Sequence, residues 1–331
     1  MRGMILAAGL GTRLRPLTHF RTKAAVPFLN RPLIHYAWEL LIGAGLQEIM
    51  INSHHLPHSI EDAVQGMSIE GQKTPILFSH EAEMLGTAGA IGKVRDFLAG
   101  DVFVVCSGKI YFEQELDQAI GFHQETESLV TLVLVPYSDK DPYNPVFLDE
   151  QNNITGFGPI ENGTPSDRPH AFTGVHILDP KILDLIPEGP SETVNDLYPR
   201  LIEEGYRVQG FVSTAYWCEC STPRRYLMRS LEILKRRGLD NLMEGEASPL
   251  CQSVVAPRSV QLDGTSVLKD SVLWDDVKVG PNSSLSGVIV TDGVTLGPET
   301  HLENAIVTPL LEKIEPSGAA QRVGDALIWP L

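Results

Sequence analysis

The first 23 residues constrain the fold and the ligand of this 331-residue chain more than any other segment. A short apolar run, Met4-Ile5-Leu6, leads into a glycine-containing turn over 7–12 and then into Arg13 and Arg15, with Lys23 a few residues beyond. Glycines allow main-chain N–H groups to approach an anion, and guanidinium and ammonium groups neutralise its charge. We therefore predict a loop that wraps around a polyphosphate.

The acidic balance of the chain limits where an anion can bind. Acidic residues outnumber basic residues by 42 to 26, which gives a formal net charge of −16. A nucleic-acid or anionic membrane surface needs a basic face, so we expect neither as a partner. Hydrophobic residues make up 43% of the chain, enough for a sizeable core, and no apolar run matches a leader peptide or a membrane span. We expect a cytoplasmic protein.

Short β-branched runs alternate with longer amphipathic segments through the first 135 residues. This alternation predicts strands joined by crossover helices, as in parallel sheets. After Pro142, strand-like segments follow one another, and a charged helix is predicted over 222–237. We predict an α/β fold, with a Rossmann-like domain over 1–237 built on a mixed, mainly parallel sheet, followed by a linker over 238–249.

The C-terminal segment contains a repeat of 17 residues. Apolar residues recur with this spacing in four registers: Val255, Val272, Ile289 and Ile306; Val260, Val277 and Val294; Leu262, Val279 and Leu296; and Leu268, Leu285 and Leu302. The pattern resembles the hexapeptide-repeat, left-handed parallel β-helix, in which each coil stacks its apolar positions on the next. We predict three coils over 250–307 that serve in oligomerisation or docking, and a tail over 308–331 in which Trp329 docks back on the body.

The segment Gly9-Leu10-Gly11 also fits the start of a dinucleotide-binding fingerprint. That fingerprint needs a third glycine where Leu14 stands, and an acidic residue at the end of the second strand, where the chain has Asn52-Ser53-His54-His55. Neither condition is met. The histidines at the end of the second strand have no acidic or cysteine partner nearby in the sequence, so a metal site is not favoured there. The four cysteines lack the spacing of a zinc site or of a disulfide framework. We expect buried free thiols.

The full string Leu6–Thr18, with Lys23 and Pro27 beyond it, resembles the signature of the sugar-1-phosphate nucleotidylyltransferases. Four more segments resemble motifs of this family and come in the same order: Glu81–Ala90, Thr173–Val175, Glu192–Asp196 and Trp217–Pro223. The spacings are most similar to the mannose-1-phosphate guanylyltransferase and N-acetylmuramate-1-phosphate uridylyltransferase branches. The resemblance covers roughly residues 1–237, and the β-helix extension also recurs in the family.

The resemblance implies a nucleotidyltransferase domain that transfers a nucleoside monophosphate from a triphosphate to a sugar-1-phosphate and releases pyrophosphate. The implied catalytic residues are Arg13, which would hold the triphosphate and the leaving pyrophosphate, and Lys23, which would stabilise charge near the α-phosphate. The implied nucleotide-binding residues are Leu6, Ala8, Gly9, Gly11, Thr12, Arg13, Glu81, Gly86 and Thr87. The implied sugar-phosphate-binding residues are Gly174, Glu192 and Lys109, and Glu219 is the implied ligand of Mg²⁺.

Lys109 departs from the family pattern. Where the family has Gly-Asp after a strand, with the aspartate as a metal ligand, this chain has Gly108-Lys109, and an ammonium group cannot ligate Mg²⁺. Glu219 stands where the family has its second metal aspartate and reaches one methylene further. Three interpretations stay open. Mg²⁺ is held by Glu219, the substrates and water in a slow enzyme; or the Lys109 ammonium replaces the cation, which preserves binding and loses much of the catalysis; or the lysine is an alteration particular to this sequence.

Two other functions compete with the transferase. The first is a catalytically weakened nucleotide-sugar-binding sensor or regulatory subunit with the same fold. The second makes the β-helix an acyltransferase, but three coils offer little surface for an acyl-CoA cleft. We expect a nucleoside triphosphate and a sugar-1-phosphate as ligands, and a homo-oligomer formed through the β-helix.

Overall fold

The computed structural model describes residues 1–65, 67, 75–138, 143–159, 168–245, 250–310 and 320–331. The chain divides into two compact units. Unit 1 comprises Met1–Leu10, Thr22–Ala25 and Leu33–Cys218, and unit 2 comprises Gly11–Arg21, Val26–Pro32 and Glu219–Leu331. The division after Cys218 precedes the predicted linker, and the N-terminal loop contributes residues to both units.

The helices and strands follow the sequence pattern closely. The helices are α1 (Leu33–Gly43), α2 (Pro57–Val64), α3 (Gly86–Lys93), α4 (Arg95–Leu98), α5 (Asp117–Glu125), α6 (Tyr198–Glu203) and α7 (Pro223–Arg236). The strands up to the division are β1 (Gly3–Leu6), β2 (Pro27–Phe28), β3 (Arg31–Pro32), β4 (Ile49–Ser53), β5 (Ile76–His80), β6 (Phe103–Ser107), β7 (Ile110–Phe112), β8 (Val130–Pro136), β9 (Val146–Leu148), β10 (Ile154–Phe157), β11 (Arg168–Leu178), β12 (Val208–Val212) and β13 (Trp217–Glu219). The later strands are β14 (Leu242–Met243), β15 (Cys251–Ala256), β16 (Gln261–Leu262), β17 (Val267–Leu273), β18 (Lys278–Val279), β19 (Ser284–Ser286), β20 (Ile289–Val290), β21 (Thr295–Leu296), β22 (His301–Glu303), β23 (Ala305–Pro309), β24 (Gln321–Val323) and β25 (Ala326–Pro330).

A nine-stranded sheet forms the centre of unit 1, in the order β10-β9-β11-β6-β1-β4-β5, with β8 beside β11 and β12 beside β8. β1 pairs in parallel with β4 and β6, and β4 pairs in parallel with β5, as the alternation of strands and helices predicted. β11 instead pairs antiparallel with β6, β8 and β9. The sheet is mixed, and the prediction of mainly parallel pairing was too strong for its C-terminal half. The strands there follow one another without crossover helices among the described residues, and such connections favour antiparallel pairs.

Both faces of this sheet are covered. Successive residues of a strand point to opposite faces, so Met4 and Ile5 of β1 enter different cores. Ile5 lies in one buried cluster with Ile34 and Leu41 of α1. Met4 lies in another with Ile91 of α3. The apolar run at the N-terminus therefore places β1 in the middle of the sheet with helices on either side.

The strands of unit 2 stack in parallel with the predicted 17-residue offset. Val255 pairs with Val272, Val272 with Ile289, and Ile289 with Ile306. In the same way Leu268 pairs with Leu285, and Leu285 pairs with Leu302. The period read from the sequence is thus the distance along the chain between one coil and the next, while the hand of the coil stays a prediction.

The predicted tail adds an end to this stack. β25 pairs antiparallel with β23, and β24 pairs antiparallel with β25. Trp329 of β25 is buried, and its Nε1 donates a hydrogen bond to Thr308 Oγ1 at 3.2 Å. Trp329 thus docks on the last coil of the stack. None of the helices in the described ranges has the length and apolar character needed to span a membrane.

Two glycines at equivalent places in successive coils test the stacking. A Cβ on Gly280 would lie 2.8 Å from the carbonyl carbon of Gly297 and 2.8 Å from Pro298 N, whereas a Cβ on Gly297 would meet no atom of the described residues within 4 Å. We expect Gly280→Ala to lower the free energy of unfolding by about 1–3 kcal/mol, because the backbone of the next coil has to move. Gly297→Ala is the matched control and should change it by less than about 0.5 kcal/mol. Urea denaturation of both variants measures the difference, and equal losses would contradict the stacking.

Candidate active site

The carboxyl ends of β1 and β6 lie side by side in unit 1. Leu6 is paired with Ser107, and Gly108 N donates a hydrogen bond to Leu6 O at 3.0 Å. A Cβ on Gly108 would lie 2.9 Å from Ile5 Cγ2 and 3.3 Å from Leu6 O, so the close approach depends on glycine. Lys109 follows directly, half-buried, in the turn between β6 and β7. The fold therefore brings Lys109 to the edge of the sheet where the N-terminal loop leaves β1.

Gly174 reaches the same edge from the antiparallel strand β11. The pairing of β11 with β8 shifts register between Phe172 and Val175, and Gly174 has a φ of +89°. A Cβ on Gly174 would lie 2.9 Å from Ser107 Cβ. This irregular backbone is held by Trp217, whose Nε1 donates to the carbonyl oxygen immediately before Gly174 at 2.9 Å. Of the residues predicted for the site, Leu6 and Lys109 thus lie at the ends of β1 and β6, and Gly174 lies in the adjacent stretch of β11.

Glu81 is a buried link between three loops. Its Oε1 accepts a hydrogen bond from Asn52 Nδ2 at 2.7 Å, and its Oε2 accepts one from Leu85 N at 3.0 Å. Asn52 Oδ1 in turn accepts from Ala7 N at 2.7 Å. The carboxylate predicted to contact the nucleotide therefore holds the first loop, the end of β4 and the start of α3 together. Sequence reasoning missed Asn52 as a site residue, although its amide stands where the excluded dinucleotide fingerprint needs an acid.

Thr87 and Glu192 are joined directly. Thr87 Oγ1 and Thr87 N donate to Glu192 Oε2 at 2.7 Å and 3.1 Å, so a carboxylate from a distant segment binds the N-terminal turn of α3. The preceding Gly86 has a φ of +70°, and a Cβ there would lie 2.5 Å from Ser191 O. A negative charge stabilises the N-terminus of a helix. Two hydrogen bonds thus connect a residue predicted for the nucleotide with a residue predicted for the sugar.

The Thr87 network continues into the core. Thr193 N donates to Thr87 Oγ1 at 2.8 Å, and the Tyr198 hydroxyl lies 2.6 Å from His176 Nδ1. A hydrogen bond with Thr193 also acts on the Tyr198 hydroxyl. Burial lowers the pKa of His176 to about 3 and raises the pKa of Tyr198, so both side chains are neutral near pH 7. The Thr87–Glu192 contact is therefore supported from the core by side chains that are buried and uncharged.

Unit 2 carries the turn with the predicted phosphate-binding arginines. Gly11 adopts a φ of +63° and precedes the short helix Thr12–Leu14. Leu14 is fully buried, whereas Arg13 and Arg15 are exposed. The turn thus anchors its apolar side chain and leaves its guanidinium groups at the surface.

The remaining predicted residues occupy different settings. Lys23 is buried in unit 1 within the short helix Lys23–Ala25. Ala8 is half-buried and Gly9 is exposed, both directly after β1. Glu219 is half-buried as the last residue of β13 and the first residue of unit 2.

These residues do not fit a Mg²⁺ ion held by a set of protein carboxylates. Within the described ranges, no group of three or more His, Cys, Asp and Glu side chains is arranged to hold a metal. The first implied ligand position carries the Lys109 ammonium, which repels a cation, and Mg²⁺ prefers hard oxygen ligands. We therefore derive no catalytic step through a metal.

Comparison with known proteins decides the family. Residues 2–236 match the family described as nucleotidyl transferase. The chain belongs to this family. The resemblance predicted from the motifs over residues 1–237 is confirmed at the level of the family.

Named relatives of this nucleotidyl transferase act on sugar phosphates. A UTP–glucose-1-phosphate uridylyltransferase of Synechocystis is 32% identical over 221 residues, which are 62% of this chain and 56% of the relative. A mannose-1-phosphate guanylyltransferase of Mycobacterium tuberculosis is 25% identical over 286 residues, 86% of this chain and 78% of the relative. The chain thus spans little more than half of the length of the Synechocystis protein. The crystal structure of HddC from Yersinia pseudotuberculosis covers 70% of this chain and 99% of its own, with a TM-score of 0.58 and 23% identity, which shows a shared fold.

The Thr87–Glu192 contact in this nucleotidyl transferase can be tested by removing one hydroxyl. Thr87→Val keeps the shape of the side chain and leaves Glu192 Oε2 and Thr193 N each without one hydrogen bond. We expect the free energy of unfolding to fall by about 1–3 kcal/mol. Thr87→Ser retains the hydroxyl and is the control. Urea denaturation gives the comparison, and a loss in Thr87→Val no larger than the loss in Thr87→Ser would contradict a stabilising role of the hydroxyl.

Proposed function

We propose that this nucleotidyl transferase is a sugar-1-phosphate nucleotidylyltransferase. A phosphate oxygen of the sugar-1-phosphate attacks the α-phosphorus of a nucleoside triphosphate, the P–O bond to the leaving group breaks, and pyrophosphate departs. The observation that carries the proposal is the meeting of Leu6, Lys109 and Gly174 at one edge of the sheet of unit 1. The family match and the two relatives named as sugar-1-phosphate transferases support it.

Charge neutralisation is the main task of the protein in this reaction. Both substrates are anions, and the chain itself carries a formal net charge of −16. Positioning and fixed positive charge lower the barrier for such a transfer. We assign the triphosphate and the departing pyrophosphate to Arg13, whose exposure supports contact with a ligand, and the α-phosphate to Lys23.

We assign the nucleotide to the Thr87 side of the Thr87–Glu192 contact and the sugar to the Glu192 side. Leu6, Ala8, Gly9, Gly11 and Thr12 would lie along the nucleotide, with Gly86 and Thr87 opening α3 beside it, and Glu81 would act by holding the loops. Glu192 Oε2 already accepts from Thr87, so we assign Oε1 to a sugar hydroxyl. Gly174, which the resemblance assigns to the sugar phosphate, has no side chain beside Ser107.

Lys109 supplies positive charge at the end of β6 in this proposal. Its ammonium would donate hydrogen bonds to a phosphate oxygen, which a lysine does as a point charge. The presence of a lysine at this position also favours a second candidate function, the catalytically weakened nucleotide-sugar sensor. One ammonium group cannot reproduce the fixed oxygen geometry around a metal ion.

The remaining proposals concern the C-terminal coils and the setting of the protein. We propose that the coils form a left-handed parallel β-helix, that the chain self-associates through it, and that the protein works in the cytoplasm without nucleic acid or membrane. The parallel pairing with a 17-residue offset supports the coil, while its hand and the self-association rest on the sequence pattern.

Release of pyrophosphate tests the proposed activity. The full-length protein is incubated with a panel of nucleoside triphosphates and sugar-1-phosphates, with Mg²⁺ or with a chelator. We expect release with at least one pair of substrates. If no pair reacts, while a nucleotide sugar binds in calorimetry regardless of chelator, the sensor is the function. A strict requirement of turnover for Mg²⁺ would exclude the sensor.

Lys109→Asp separates the interpretations of Lys109. If the ammonium has replaced a metal ligand, the aspartate restores an oxygen ligand and should raise Mg²⁺-dependent pyrophosphate release about tenfold or more, which is about 1.4 kcal/mol of barrier. Lys109→Met removes the charge without adding a ligand and is the matched control. Absence of a gain in Lys109→Asp over the wild type would contradict the replacement.

A further inference from the structure

Arg21 ties the N-terminal segment of unit 2 to the C-terminal coils. Its guanidinium forms an ion pair with the Asp292 carboxylate, and its Cζ lies 5.1 Å from the centroid of the Trp274 ring. Both side chains of the ion pair are mostly withdrawn from solvent, and Trp274 is fully buried. A planar guanidinium that is stacked and paired at once has little freedom to turn.

The two partners of Arg21 come from successive coils. Thr291 and Thr308 hold the places equivalent to Trp274, so the coil repeat itself does not require an aromatic residue there. Asp275 holds the place equivalent to Asp292, but its Oδ1 accepts a hydrogen bond from a serine at 2.9 Å instead. The tryptophan and the ion pair are therefore local departures from the repeat.

Hydrogen bonds hold the Trp274 ring in place below Arg21. Trp274 Nε1 donates to the Tyr226 hydroxyl at 3.0 Å, and that hydroxyl donates to Pro27 O at 2.6 Å. Burial raises the pKa of Asp292, the neighbouring Arg21 lowers it, and the negative charge of Asp275 raises it. A carboxylate in this place is costly without its cation, so the structure favours the arrangement that keeps Arg21 in contact.

The chain between the arginine turn and Arg21 is a series of tight turns. Leu17 N donates to Leu14 O at 3.0 Å, and Thr18 Oγ1 donates to Gly11 O at 2.9 Å. Both leucines are fully buried. The ring of His19 meets the ring of Trp329 edge to face, with centroids 5.9 Å apart. The segment between Arg13 and Arg21 is therefore packed along its middle.

We propose that Asp292 and Trp274 are positioning residues for the triphosphate: by holding Arg21, they orient the turn that carries Arg13 and Arg15. The ligand in this inference rests on the proposed function, while the restraint on the turn does not. A turn that is already ordered loses less conformational entropy when the polyphosphate binds. The C-terminal coils thus contribute to nucleotide affinity as well as to stability.

Asp292→Asn in the full-length protein tests the inference, with Asp275→Asn as the matched control one coil earlier. We expect the Kd of the nucleoside triphosphate, measured by calorimetry, to rise about five- to tenfold in Asp292→Asn and to stay within about twofold in Asp275→Asn. The KM of the triphosphate should rise with it, whereas kcat and the KM of the sugar-1-phosphate should change little. Arg21→Lys keeps a positive charge and loses the planar stack on Trp274, so it should give an intermediate Kd and serves as a second variant.

Hydrogen exchange of the ligand-free protein separates this inference from the proposed function. Amides of residues 11–21 should exchange faster in Asp292→Asn than in the wild type or in Asp275→Asn. If the wild type binds triphosphate and Asp292→Asn shows the same affinity and the same exchange, the inference is overturned. If the wild type binds no triphosphate, the proposed function fails, and unchanged exchange in residues 11–21 would overturn the restraint as well.

Discussion

The close backbone contact between β1 and β6 is the constraint on which the candidate site depends. Gly108 N donates to Leu6 O, and the absence of a Cβ on Gly108 lets the two strand ends meet. Parallel strands present their carboxyl ends at one edge, and in open α/β sheets that edge is where ligands bind. The N-terminal loop and Lys109 leave the sheet there, so the order of the strands decides which chemical groups lie together at the candidate site.

Local patterns predicted much of the fold. The apolar run before Ala7 predicted a buried strand, and the 17-residue spacing of Val255, Val272 and Ile289 predicted the register that the coils adopt. The antiparallel insertion of β11 beside β6 was not predicted, because an apolar strand with β-branched residues fits either direction of pairing. Hydrophobic periodicity identifies the buried face of a strand and leaves its neighbour undefined.

The candidate site was predicted in part, for a related reason. Family motifs indicated Thr87 and Glu192 separately, but their direct hydrogen bond joins residues 105 positions apart, and no local signal specifies such a contact. The ion pair between Arg21 and Asp292 spans 271 positions. Glu81 shows the other side of the problem: the motif indicated a nucleotide contact, whereas the buried hydrogen bonds of its carboxylate hold the surrounding loops.

The proposed transfer depends most on positive charge from a lysine at the end of β6, because both proposed substrates are anions and the chain is acidic. A crystal structure of the wild type with a nucleoside triphosphate and Mn²⁺, whose anomalous scattering locates the metal, tests this claim directly. The account predicts that Lys109 Nζ lies about 3 Å from a phosphate oxygen. A manganese ion bound at the end of β6, with the Lys109 side chain turned away from the phosphates, would contradict it.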